Sequence, residues 1–258
     1  MDGDRELDPN TPTRGVLPTG GARTGPDVPD QNWVFQRHVA IYRHVAAHIT
    51  GTVVDAGCGE GYGLRILSEA GARGVIGVDD DEDTVLHARG RYATERIEVV
   101  EADLADLPLV VDTMDAVVAV HAVDRVPDLD AVLAELVRIT RPGGSIAVAT
   151  PNRPTWLPAG AEAPTNPFQV RMFTADALRA TMETAEIGDV RIEGVRHTDA
   201  TREDVAPLLG SRPLATLADP TSWHGDLRRR VHTARPEHFE VTTEDLDTCI
   251  DLVAWGRV

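Results

Sequence analysis

At 258 residues the chain is long enough to bury a full core in one α/β domain with insertions. Forty-two acids against twenty-five bases, every base an arginine, give a net charge of −17, which disfavours nucleic acid and anionic membrane and suits a neutral or cationic small molecule or a sugar. Two cysteines, Cys58 and Cys249, make no disulfide framework, and with no bilayer-length apolar run and no secretion signal a cytoplasmic protein is expected.

Residues 1–30 are rich in Gly, Pro, Asp and Thr, which predicts a segment that is mobile until ligand binds. Gln31 to Ile49 reads as a helix, with Val34, His38, Ile41, Val45 and Ile49 on one stripe. Its cluster of Trp33, Phe35, Arg37, His38 and Tyr42 fits either a packing helix at the sheet edge or a lid over a ligand, with Arg37 near a carboxylate.

The stretch VDAGCGEGYG (54–63) is the most informative. A β-branched run ends in Asp55, and glycines then alternate through a turn into a helix near 61–71. Glycine there lets backbone approach a ligand at the carboxyl end of a strand. A dinucleotide loop is the first rival, but its third glycine would fall at Tyr62, and the Glu60 carboxylate would repel a pyrophosphate. The loop therefore suits a ligand with positive charge and no phosphate, such as S-adenosylmethionine. A second strand ending in Asp79 follows about twenty residues later, the spacing at which a carboxylate takes ribose hydroxyls in a Rossmann-type half.

Strands are predicted at 52–56, 74–79, 97–101, 114–120 and 144–150, and helices at 61–71, 83–91 and 128–139. Such alternation means a parallel sheet covered on both faces. Pro151 to Pro167 holds five prolines and reads as a loop, followed by a helix near 174–184 and a strand near 189–197. Residues 198–238 read as an irregular or partly helical insertion, poor in core formers and expected to order around ligand, and Leu246 to Val258 as an antiparallel strand that completes a seven-stranded sheet. The expected organisation is a flexible segment 1–30 and a single domain 31–258 with insertions at 151–172 and 198–238 on the substrate side.

VDAGCGEGYG, VIGVD, EADLADLPL and RPGGSIAVATPN, in order over 53–150, resemble class I S-adenosylmethionine-dependent methyltransferases. Over nearly the whole chain, GGARTGP, QNWVFQRHVAIY, TPNRPTW, NPFQVR and HFEVTTEDLDTCIDLVA look like the sugar O-methyltransferases of methylglucose lipopolysaccharide biosynthesis. The chain departs from them at His121-Ala-Val-Asp-Arg125, where they carry Gln-Val-Ile-Glu-His, at Gln169 in place of a histidine, and at Ala22 in place of an acid.

The resemblance implies a Rossmann-like α/β fold binding S-adenosylmethionine through Arg37, Asp55, Gly57, Cys58, Gly59, Asp79, Asp80, Asp103, Leu104 and His121. Methyl transfer is a direct displacement, so the protein mainly aligns donor and acceptor, and a sugar hydroxyl gains from a general base. His121, with Asp124 to orient it, is the candidate base; His197, which matches a family histidine, is the other. Each histidine taken alone fits a structural role better than a catalytic one, and it is their grouping at strand ends that points to a base; no tight metal-ligand spacing appears.

The expected function is O-methylation of a hydroxyl on a sugar or glycosylated small molecule. The rivals are a natural-product O- or N-methyltransferase and a non-catalytic S-adenosylmethionine-binding protein. The acceptor is a small molecule or oligosaccharide, and the chain is expected to be a monomer or homodimer.

Overall fold

A computed structural model describes residues 24–157, 164, 166–210 and 213–258. Most of the expected mobile segment, including Ala22, lies outside these residues. Its described end, 24–31, is tied down: Asp27 pairs with Arg91 at 2.5 Å, and Asp30 with Arg228 and His232.

Helix α1 (Asn32–Ala46) precedes the alternating series β1 (Thr52–Ala56), α2 (Tyr62–Glu69), β2 (Gly74–Asp79), α3 (Glu82–Tyr92), β3 (Ile97–Glu101), β4 (Met114–Val120), α4 (Leu129–Ile139) and β5 (Thr140–Pro151). Side chains begin two of these helices where sequence places them. Asp81 accepts from the Thr84 amide to start α3, and Asp128 from the Ala131 amide to start α4. After β5 come α5 (Arg153–Trp156), α6 (Ala175–Thr184), β6 (Gly188–His197), α7 (Asp199–Leu209), α8 (Gly225–His232), β7 (Phe239–Thr242) and β8 (Asp251–Arg257).

The strands form one sheet in the order β3-β2-β1-β4-β5-β8-β6-β7. The five from β3 to β5 pair in parallel, whereas β8 runs antiparallel to both β5 and β6, and β7 antiparallel to β6. Eight strands stand where seven were expected. The added one, β7, is a four-residue, mostly half-exposed edge strand, too short to leave a period in the sequence. β8 begins at Asp251, five residues later than predicted, because Leu246–Thr248 forms a 3-10 turn instead.

Alternate residues of one strand face opposite cores, which is why the parallel strands read as unbroken apolar runs. Along β4, Ala116, Val118 and Val120 join α1, α2 and α3, while Val117 and Ala119 join α4 and α6. Helix α1 is therefore a packing element, with Ile41 and Val45 fully buried on the sheet, and it also lines the cavity described below. Residues 198–238 are partly helical, as expected, but they bring core of their own. Val205, Leu217, Leu227 and Val231 are buried in the same cluster as α1. The Asn32 side-chain amide caps the end of α8 by donating to the carbonyls of Val231, His232 and Ala234.

Candidate active site

Between β1 and β4 the strand order reverses, and ligands of open α/β sheets bind at such a point, beyond the carboxyl ends of the strands. A cavity of about 1030 Å³ lies there. Its floor is the turn after β1. Gly57, Gly59 and Gly61 all take positive φ, and the amides of Gly57 and Cys58 both donate to the Val78 carbonyl at the end of β2. A Cβ on Gly57 would stand 2.6 Å from that of Ala122, so no side chain fits in this turn. Asp79 ends β2 with its carboxylate accepting from the Gly59 amide at 3.0 Å. This bond joins the acid to the glycine turn.

Most of the predicted cofactor residues come together. Arg37, Gly57, Cys58, Gly59, Asp79, Asp80, Asp103, Leu104 and His121 all line the cavity. Asp55 does not. It is fully buried beneath the turn, where it accepts from the Tyr42 hydroxyl at 3.0 Å, and burial pushes its carboxyl up to about 7. Glu60 also differs from expectation. It lines the cavity, but Arg91 at 3.0 Å, His87 and the Tyr92 hydroxyl hold its carboxylate, so its charge is compensated rather than left to repel a phosphate. Exclusion of a dinucleotide therefore rests on the glycine spacing alone.

The opposite wall is aromatic and basic. Arg37 is 3 % exposed, with its guanidinium 5.0 Å from the Trp33 ring centre and 4.7 Å from that of Trp156. His121 follows β4 with φ +55, an uncommon conformation for a side-chain-bearing residue and one that concentrates at functional sites. Its amide donates to the Ala149 carbonyl, and its ring stacks on His38 at 4.1 Å. Burial, then His38, Arg37 and Arg125, hold the His121 imidazole well below its ordinary range, so it is neutral near pH 7.

The acid beside His121 is Asp251, not Asp124. Nε2 of His121 is 3.4 Å from Oδ1 of Asp251, whose Oδ2 is 2.9 Å from Nε of Arg37. The Arg37 contact is an ion pair without an aligned N–H bond, since neither oxygen of Asp251 receives a hydrogen bond. Asp124 is fully buried outside the cavity lining and accepts from the Gln169 side-chain amide at 2.8 Å, which fastens the NPFQ loop. Sequence proximity to His121 did not translate into contact because the chain turns at 122–125, where the Arg125 amide donates to the Ala122 carbonyl.

His197 also stands apart from the cavity. Its Nε2 accepts from the Trp33 indole at 2.9 Å, and its ring packs on Phe239 at 5.2 Å. Burial, with Arg230 next, pushes it down to about 3. His38, Trp156 and Asp251 are the site residues that sequence reasoning missed or left unassigned. For Asp251 one signal was present, a lone acid within the apolar run Ile250 to Trp255. Among the described residues, no group of three or more His, Cys, Asp or Glu stands close enough to hold a metal ion.

A family model described as a methyltransferase domain matches residues 54–148. A probable S-adenosylmethionine-dependent methyltransferase of Mycolicibacterium smegmatis is 36 % identical over 255 residues, covering 96 % of this chain and 97 % of the relative. A probable S-adenosylmethionine-dependent methyltransferase of Mycobacterium tuberculosis is 35 % identical, over 98 % of this chain and 93 % of that one. Among solved structures, a possible histamine N-methyltransferase of Thermotoga maritima superposes with a TM-score of 0.57 at 16 % identity, over 88 % of this chain and 92 % of that one, which is a likeness of fold.

The chain belongs to the S-adenosylmethionine-dependent methyltransferases. It is an enzyme of methyl transfer, and its cofactor is S-adenosylmethionine. Among the described residues no helix is long and apolar enough to cross a membrane.

Proposed function

We propose that the chain methylates a hydroxyl of a sugar or glycosylated small molecule, with residues 31–258 as one catalytic domain and the segments 151–172 and 198–238 on the acceptor side. The observation that carries this reading is His121, a neutral imidazole on the cavity wall at the end of β4. A hydroxyl must lose a proton as it is methylated, whereas a neutral amine reacts through its own lone pair. The resemblance to sugar O-methyltransferases in the QNWVFQRHVAIY and NPFQVR stretches supports the acceptor class.

The residues fit the cofactor. The glycine turn admits backbone contact, Asp79 and Asp80 at the end of β2 would take the ribose hydroxyls, and Asp103 and Leu104 would read the adenine. Arg37 would face the methionine carboxylate. Bound there, S-adenosylmethionine supplies an activated methyl group on a sulfonium. The chain itself orients the acceptor and takes its proton at His121. At about 1030 Å³ the cavity reaches the upper end of the roughly 300–1,000 Å³ usual for one ligand, which suits donor and acceptor together. Exposed Phe168 at the rim favours, as a second reading, a natural product with an apolar body.

Incubation with methyl-labelled S-adenosylmethionine and a panel of maltooligosaccharides, aryl glucosides and amines tests the proposal. Label should enter a base-stable methyl ether on a glycoside. Transfer to amines alone, or tight cofactor binding with no transfer to any acceptor, would reject it.

A further inference from the structure

Strand β8 enters the sheet antiparallel, so its first residue, not its last, arrives at the ligand end. That residue is Asp251, paired in register with Pro151 at the end of β5. The backbone just before it is held unusually well. Asn152 donates its side-chain amide to the Leu246 and Cys249 carbonyls, the Thr155 hydroxyl donates to the Cys249 carbonyl, and the Trp156 indole to that of Ile250. Asp251 is thereby fixed, wholly buried, between Arg37 and His121.

Burying a carboxylate costs far more than an apolar residue would at the same place. Burial pushes the Asp251 carboxyl up to about 7 and Arg37 beside Oδ2 opposes that rise, so the carboxylate holds above this pH, but nothing in that pair explains why Oδ1 faces a ring nitrogen. Nε2 of His121 is buried and has no other partner. A neutral imidazole carries one hydrogen, and a carboxylate oxygen opposite Nε2 favours placing it there. His38 cannot compete, since it stacks on the ring face and bonds the Tyr62 hydroxyl through Nδ1 at 2.9 Å.

We propose that Asp251 is a positioning residue that holds His121 in the Nε2–H tautomer, presenting the Nδ1 lone pair to the acceptor hydroxyl. The inference deepens the reading of His121 as base and rests on it for its catalytic meaning. During transfer, the acceptor oxygen forms its bond to the methyl carbon as the carbon–sulfur bond breaks and its electron pair returns to sulfur. The hydroxyl proton passes to Nδ1, and the resulting imidazolium keeps its Nε2–H against the Asp251 carboxylate. The 3.4 Å separation is long for a hydrogen bond, and such contacts tighten when substrate is in place.

Long-range proton–nitrogen correlation of the histidine side chains, on the full chain labelled with nitrogen-15, reads the tautomer without any acceptor. Wild-type His121 should show the neutral Nε2–H pattern at pH 8.5, above the value of about 7 to which burial pushes Asp251. In Asp251→Asn, whose amide can donate to Nε2, the two ring nitrogen resonances should exchange places, while Asp124→Asn leaves them unmoved. A wild-type His121 that carries its hydrogen on Nδ1, or an Asp251→Asn spectrum identical to wild type, overturns the inference. If Asp251→Asn does not fold, the wild-type spectrum alone decides. Should the tautomer behave as stated while His121→Ala retains full methyl transfer, the role of Asp251 stands and the base assignment falls.

Discussion

His197 offers a measurement of burial that needs no substrate. The ring is 6 % exposed, accepts from the Trp33 indole, and is pushed from an ordinary value of 6.5 down to about 3. Because the folded value is depressed, its stability is fully present above pH 6.5 and is lost as the pH falls toward 3. By pH 5 the unfolded chain has gained most of a proton that the folded ring refuses, which removes about 2 kcal/mol. His197→Phe keeps a ring against Phe239 but leaves the buried Trp33 N–H without an acceptor, a cost of about 1–3 kcal/mol that does not depend on pH. Urea unfolding followed by circular dichroism should therefore find the variant less stable than wild type at pH 7.5. The gap should close by about 2 kcal/mol at pH 5, since all other titrating groups are common to both proteins. Parallel stability curves from pH 7.5 to 5 would refute the claim that burial keeps this ring neutral.

Three further outcomes follow from the site. Asp79→Ala should weaken S-adenosylhomocysteine binding in calorimetry at least tenfold, about 1.4 kcal/mol, because the acid both anchors the Gly59 amide and faces the ribose position. Gly57→Ala, with φ +78 and a Cβ 2.6 Å from that of Ala122, should abolish cofactor binding; retained affinity would mean the turn is pliant. His121→Ala should lower turnover roughly a hundredfold with cofactor affinity unchanged, and in wild type the acid limb of kcat should lie below pH 6.5, since the imidazole is depressed and stays neutral further down. A limb near 7 would report the Asp251 carboxyl, which burial pushes up to about 7, and one well above that would identify another base.

The fold was legible where a residue's neighbours in sequence also decide its surroundings. A two-sided strand such as β4, buried from Ala116 to Val120, announces itself by an unbroken apolar run, and the caps Asp81 and Asp128 sit where local chemistry asks for them. The glycine turn and the acids after β2 and β3 were found for the same reason. The partner of His121 was not, because the acid that approaches it, Asp251, is 130 positions away, while Asp124 at three positions turns to Gln169. Glu60 was misjudged likewise: its charge is visible in sequence, but the compensating Arg91, thirty-one residues on, is not. His197 was named for matching a family histidine, and its indole contact from Trp33 is a pairing across 164 residues.

The place of β8 has a consequence for how the protein comes into being. Among the described strands it alone stands between β5 and β6 in the sheet, yet it follows all the others in the chain. Without it the sheet would be two separate blocks, each with a bare edge facing the gap, and Arg37 would lack its ion-pair partner. Docking closes the gap and delivers Asp251 in the same event. Strand pairing and placement of the acid beside His121 are thus one step, and a chain interrupted before β8 exposes open edges prone to pairing with other chains rather than a weaker enzyme.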